Sequence, residues 1–438
     1  MTKKSLSEFR KAVYQSLKRR ADILFDLIDA LTVAGQVSSP VALSEQKPFR
    51  RKFCSVYDGL ENGEMDIGEI LSLLPDCMPE DSEMIAGYKM YAVDATANEH
   101  EQAETLPDRS VLKSSKAEPM RYGHKYSWVV RLVNFGTSWV APVDIERIDT
   151  EATDTKVAAV QVQELDVRDP QVKVIVADSR YEDHLFLGIF ERFKRTFGLI
   201  RIHSNRVLYE EPKKKPVGSR GAPRKHGKPF KLNGAHRSED QSEIFQIGKQ
   251  TVRVRAWYQL HFKKLADLIG TLVQVEFLRE DGTPRYKRPM WLFWTGPQAV
   301  ALSDLCRMYL WRFAIEHMFR FLKQHMGLNS NRSPDLVSAQ QWMWLCALAY
   351  WQLLLMRDVV KEDYPAWYPH SRRRAKLTPY QVQRSALVFL LELGTPARMT
   401  RPAGKGTGRQ KNYHPIPRVR YAVVFKSKKV HNLPAASP

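Results

Sequence analysis

Cysteine is scarce in this chain: Cys54, Cys77, Cys306 and Cys346 are the only four among 438 residues. They lie far apart, with no CxxC and no histidine pair beside them, which argues against a zinc site or a disulfide framework and fits a reducing cytoplasm. There is no glycine-rich nucleotide motif, so a nucleotide-dependent small-molecule enzyme would lack its phosphate cradle. Long apolar runs are also missing. The best candidate, WMWLCALAYWQLLLM at 342–356, is interrupted by Gln352 and falls short of the roughly 18 to 20 residues a membrane span needs; it reads as a buried core helix. The first residues, MTKKSLSEFRKAV, show neither a secretory apolar segment nor a lipidation signal, so no membrane partner is expected. Acidic residues are in deficit, 48 Asp and Glu against 68 Lys and Arg, for a formal charge of +20 and a pI near 9.7. Such a surface calls for a polyanion, nucleic acid first. Residues 397–438 contain ten Lys or Arg and no Asp or Glu, the composition of a mobile basic tail.

With 43% apolar and 11% aromatic residues, the chain can bury a sizeable core and has room for two or three domains. Residues 1–85 read as helical, from Leu6, Phe9, Val13, Leu17, Leu24, Leu27, Ile28 and Leu31 and a second helix over MDIGEILSLL, with a turn-rich, Arg50-Arg51-Lys52-bearing stretch between. A small DNA-gripping helical domain and a plain helical cap both fit. Residues 86–205 turn to strands: YKMYAVDAT, KYSWVVRLVNF and SWVAPVDIERI, then a helix TKVAAVQVQEL, a strand VKVIVAD, a helix DHLFLGIFERFKRTF and a strand GLIRIHSN. That order predicts a mixed α/β sheet with an antiparallel opening. Residues 206–295 open on a basic run and continue as a hairpin-rich β insertion. A last core portion, 296–360, carries helices starting near Ser303 and over 338–358, and 361–438 form a helical, basic, partly disordered C-terminal region.

YLWRFAIEHMFRFLKQ is the most specific segment. Tyr309, Arg312, Glu316 and Lys323 fall within about 60° of one another at roughly 100° per residue, so one stripe carries a carboxylate, two cations and a phenol. Leu310, Trp311, Ala314, Ile315, Met318, Phe321 and Leu322 form the opposite, core-facing side. Asp94 and Asp178 each close an apolar strand. Strand-end aspartates are commonly turn formers or caps. Two of them converging with a helix carboxylate on one sheet edge would repel unless cations share them, and a metal pair resolves this. Two Mg²⁺ ions suit phosphoryl transfer on a nucleic acid strand.

The Tyr-(2)-Arg-(3)-Glu-(6)-Lys spacing, together with Asp94, GHKYSW at 123–128, Asp178 with Tyr181, and RGAPRKHG, resembles the DDE cut-and-paste transposases of bacterial insertion sequences, the insertion-sequence-four group. The resemblance covers roughly residues 85–360. It implies a ribonuclease H-like mixed-sheet core with a β-rich insertion filling the gap from Asp178 to Glu316 (316 − 178 = 138 residues). It further implies a metal-binding catalytic triad of Asp94, Asp178 and Glu316, with two Mg²⁺ ions and Mn²⁺ able to substitute. Tyr309, Arg312 and Lys323 would contact DNA at the transposon end, a role that fits stacking, forked phosphate binding and a point charge. Lys213, Lys214, Lys215, Arg220, Arg224, Lys225 and His226 form a candidate phosphate-contact set. Double-stranded DNA, as transposon end and as target, a homodimer on the DNA, and a bacterial, nucleoid-associated cytoplasmic location follow. A silent DNA-binding regulator derived from a transposase, and a ribonuclease H-like nuclease without strand transfer, are the alternatives. His124 reads as a structural strand histidine or a DNA contact, Tyr181 as a packing or DNA-positioning residue, and Glu182 and Asp183 as less suitable acids than Asp178.

Overall fold

The computed structural model describes residues 3–115, 118–212, 224–331, 335–361, 376–400 and 417–425, with a few isolated positions and runs of two or three between them. Four N-terminal helices, α1 (Lys3–Ser16), α2 (Ala21–Val33), α3 (Phe53–Asn62) and α4 (Ile67–Leu73), precede the sheet. The apolar repeat expected as one helix is broken after Ser16, where Leu17–Arg19 form a short strand and Arg20 takes a left-handed conformation. Helix α3 arises in the stretch expected to be turns. It buries Val56, Gly59 and Leu60 at helical spacing, and a Cβ at Gly59 would sit 2.6 Å from Ile23 Cγ2. Arg50 and Arg51 turn onto the buried Asp26 at 2.9 and 3.0 Å.

The sheet begins with β1 (Tyr88–Glu99), β2 (Glu118–Leu132) and β3 (Val140–Ile148), paired antiparallel in sequence. Helix α5 (Asp154–Arg168), capped by Thr153, then crosses to β4 (Lys173–Ala177), which runs parallel to β1. A four-residue helix α6 (His184–Leu187) and a 3₁₀ turn lead to β5 (Thr196–Ile202), parallel to β4. The core order is therefore β3-β2-β1-β4-β5, a mixed arrangement compatible with a ribonuclease H-like fold. A longer helix was expected over 183–197. It ends early because Phe186 and Phe190 seat against each other beneath the sheet (5.7 Å) and the chain needs the exposed Arg192–Arg195 stretch to cross to β5.

The next segment extends the same sheet. Strands β6 (Val207–Glu210), β7 (Pro229–Lys231), β8 (Gln241–Ile247), β9 (Gln250–Phe262), β10 (Leu265–Leu278) and β11 (Met290–Trp294) are joined to the core through β11, whose Trp291 pairs with Ile202 of β5. Helices α7 (Leu302–Trp311), α8 (Phe313–His325), α9 (Leu336–Met356) and α10 (Pro379–Leu393) follow; beyond them residues 417–425, expected within a mobile basic tail, are docked on the core, the Tyr421 and Val424 amides donating to Glu104 O and Arg109 O (both 2.7 Å).

Every residue of α9 from Gln341 to Met356 is buried. Its Trp351 indole donates to Pro142 O on β3 (2.7 Å), while Gln352 on the same helix bonds Asp29 and Thr32 of α2 (both 3.0 Å). Asp29 in turn takes a bidentate pair from Arg10. The one polar residue in the apolar run is thus a buried bridge to the N-terminal helices, with its hydrogen bonds satisfied inside the protein. Among the described residues no helix is long and apolar enough to cross a membrane.

Candidate active site

Register decides where the two aspartates lie. Ala92 of β1 sits opposite Val176 of β4, so Asp94 and Asp178, each two residues farther on, arrive side by side where the parallel pairing ends. Neighbouring strands are about 4.8 Å apart. Burial first, and then the adjacent Asp178, push the Asp94 carboxyl up to about 6. Asp178 caps the 3₁₀ turn Ser179–Tyr181, accepting from the Arg180 amide at 2.9 Å.

The helix that brings Glu316 to this edge carries one tightened turn. Arg312 ends α7 and starts α8; its amide bonds Tyr309 O and its carbonyl accepts from Ile315, both three residues away. Its side chain is only 6% exposed; it donates to Glu316 Oε1 at 2.6 Å and reaches Asp94 Oδ2 at 3.5 Å. Burial alone would lower the Arg312 pKa, but Tyr309, Asp94 and Glu316 raise it above the usual value. The guanidinium therefore joins the strand acid to the helix acid. Tyr309 is buried, its ring centroid 5.8 Å from that guanidinium, so here the phenol backs Arg312 from inside the protein. Lys323 lies two turns along α8, half-buried, its pKa lowered by burial against the pull of Glu99 and Asp94.

Of the expected residues, Asp94, Asp178, Arg312 and Glu316 come together, with Tyr309 behind them and Lys323 farther along the helix. The described members of the basic set do not join them. Arg224, Lys225 and His226 precede β7, with β5, β11, β10, β9 and β6 lying between that strand and β4. His226 stacks on Tyr209 and His261 (5.0 and 5.3 Å), its Nδ1 3.0 Å from His261 Nε2. Lys213, Lys214, Lys215 and Arg220 lie outside the described residues.

His124 is buried in β2 with Nε2 donating to Pro107 O (2.9 Å). Glu182 is engaged by His203 and Arg206, and Asp183 caps α6. Tyr181 is fully buried beneath the acids, its hydroxyl without a partner; burial first, then Asp94, Asp154 and Asp178, hold its pKa well above the usual phenol range.

Asp154, Lys125 and Arg180 escaped the sequence reading. Asp154, at the start of α5, accepts from Lys125 Nζ (3.2 Å) and Arg180 Nη1 (2.8 Å); despite burial these cations hold its carboxyl below the usual range. A signal existed, since Arg180 stands two residues beyond Asp178 and Asp154 follows the helix cap Thr153.

A family model described as "DDE superfamily endonuclease" matches residues 12–263, more than half of the chain, spanning Asp94 and Asp178 and ending before Glu316. The chain belongs to this family. No curated protein was found to match it. For this DDE endonuclease the family implies a DNA substrate and nuclease activity, and DDE nucleases generally use divalent metals. Hard carboxylate oxygens are the donors such ions prefer, and the like-charge pressure on Asp94 is what a cation would relieve. Among the described residues no three His, Cys, Asp or Glu side chains are gathered as they stand to hold an ion. Arg312 holds Glu316, whose side chain is 42% exposed.

Proposed function

We propose that the protein is an insertion-sequence DNA transposase of the insertion-sequence-four group, cutting at terminal inverted repeats and joining the end to target DNA. The observation that carries this reading is the single constellation of Asp94, Asp178, Arg312 and Glu316, in which two in-register strand acids meet a helix acid through one buried arginine. The matched family and the net charge of +20 support DNA as the substrate.

Asp94, Asp178 and Glu316 would hold two Mg²⁺ ions, or Mn²⁺ in their place, supplying activation of the attacking oxygen and stabilisation of the leaving one. In the first step water attacks phosphorus, the phosphodiester bond to the 3′ oxygen breaks, and that oxygen leaves as a 3′-hydroxyl. In the joining step this hydroxyl attacks a phosphorus of the target strand and displaces its 3′ oxygen, so the number of phosphodiester bonds is conserved. Arg312 exchanges its contact with Glu316 for a substrate phosphate, a forked match that lysine would not supply. Tyr309 keeps the guanidinium in place from behind. Two ends must be paired for joining, hence a homodimer on DNA.

The test is a denaturing gel with labelled DNA bearing the flanking terminal repeats, in Mg²⁺ or Mn²⁺, for wild type and Asp178→Ala. Metal-dependent cuts at the repeat end that vanish in the variant, with joined products, support a transposase. Cuts without joined products would reduce it to a nuclease, and binding without cuts would indicate a regulator.

A further inference from the structure

A second cleft opens at the far end of the signature helix. Its volume is about 650 Å³, and it lies between the end of α8, the chain leaving α2, and α10. Lys323, His325 and Arg384 line it, and among the described residues no carboxylate does. The His325 ring packs on Phe321 at 5.2 Å and on Tyr380 at 4.7 Å, making an aromatic ladder that ends in the 45% exposed Tyr380. Gln383 also lines the cleft. It is 2% exposed, and its Oε1 has no hydrogen-bond partner, which for a buried amide is costly unless something donates to it.

The walls are fixed before any ligand arrives. His325 Nδ1 donates to Gly35 O (3.0 Å) and Ser330 Oγ to Val37 O (2.7 Å). Gly327 takes φ +64, and a Cβ there would lie 2.6 Å from Val37 Cβ, so only glycine lets the two segments close on each other.

We infer that this cleft is a single-stranded DNA subsite, taking a phosphate on Lys323 and Arg384, a base on the exposed face of Tyr380, and a base-edge donor on Gln383 Oε1. Cations along the backbone path and an aromatic platform are the two elements of single-strand binding, and the unpaired amide adds a directional acceptor. Lys323 lies seven residues beyond Glu316, about 10 Å along the helix axis. A strand leaving the acids could therefore run along α8 into the cleft, away from Arg224 and Lys225 before β7. The inference rests on the DNA-processing reading of the acids and extends it to where the strand goes.

The test measures binding of a labelled single-stranded oligonucleotide to the full chain in EDTA, apart from cleavage, with terminal-repeat and unrelated sequences compared. Arg384→Glu and Tyr380→Ala should each weaken binding about tenfold or more; Arg384→Glu should also lower the salt slope by about one, and Tyr380→Phe should bind like wild type. Loss on the repeat sequence alone would assign the transposon end, and equal loss on both would assign a general strand, target included. Unchanged affinity and salt slope in Arg384→Glu, with an unchanged melting temperature, would overturn the cleft. If wild type still cuts repeat ends in that case, the function stands; if wild type neither binds nor cuts, the underlying reading fails with it.

Discussion

Strand β1 meets two acidic sites, one beside its first residues and one at its middle, and the two are built to opposite rules. At its start, Asp169 accepts from Lys89 (3.1 and 3.2 Å), Tyr91 Oη (2.9 Å) and the Gln171 amide (3.0 Å); against burial, these bonds hold its carboxyl below the usual range. Farther along, Asp94 faces Asp178; it accepts from the Ala95 amide at 2.8 Å, and its one cation contact is a 3.5 Å approach to Arg312, a cation shared with Glu316. Its carboxyl is pushed up to about 6. One acid is fully partnered and serves the fold. The other is left in like-charge conflict, the condition under which a buried carboxylate signals chemistry.

The sharpest way to break this contrast is to remove one acid from each end. Glu316→Gln should lower cleavage by ~10²-fold or more, since even an outer partner of a metal ligand is worth 10- to 100-fold, while DNA affinity and melting temperature stay near wild type. Retained cleavage on a denaturing gel would sink the assignment. Asp169→Ala should do the reverse. Lys89 and the Tyr91 hydroxyl lose their acceptor, stability to denaturant falls by about 2 kcal/mol, and cleavage at a permissive temperature stays within about twofold.

Asp94→Asn tests the conflict itself through pH. The folded pKa of about 6 lies above the ordinary 3.8, so the stability this group contributes is fully present below about pH 3.8 and lost as pH rises through 6. The variant should therefore exceed wild type by about 1–3 kcal/mol at pH 8 without metal. That gain should shrink to nothing near pH 4, and divalent ions should stabilise wild type more than the variant; equal pH profiles would contradict the shift.

The smallest effect concerns the tail. Ala397 is buried and the Arg398 carbonyl accepts from Arg51 at 3.0 Å, so the chain should be cut after Thr400. This truncation should weaken DNA binding and flatten its salt dependence, because released counterions follow the cations removed. An unchanged salt slope would show that the tail does not touch DNA.

Much of the fold was legible because it rests on local periodicity. The strands around Asp94 and Asp178 and the helix over 342–356 each announce themselves by apolar spacing that only one element type can bury. Helix α3 was hidden because its buried set is just Val56, Gly59 and Leu60 while Phe53 and Tyr57 face solvent. The expected helix after Asp183 failed because a tertiary demand, crossing to β5, overrode a helical pattern.

By itself the sequence determined a basic, α/β, acid-bearing chain and the spacing that puts Arg312 and Glu316 on one helical face, because charge and side-chain period are properties of the chain alone. Only the tertiary structure decided that Asp94 and Asp178 meet, through the register of parallel strands β1 and β4. It also decided that Arg312 is buried between two acids, that the β-rich segment prolongs the core sheet, and that α10 and the chain after α2 close a cationic cleft around Lys323. Those outcomes depend on pairings between residues far apart in sequence, which no local pattern encodes.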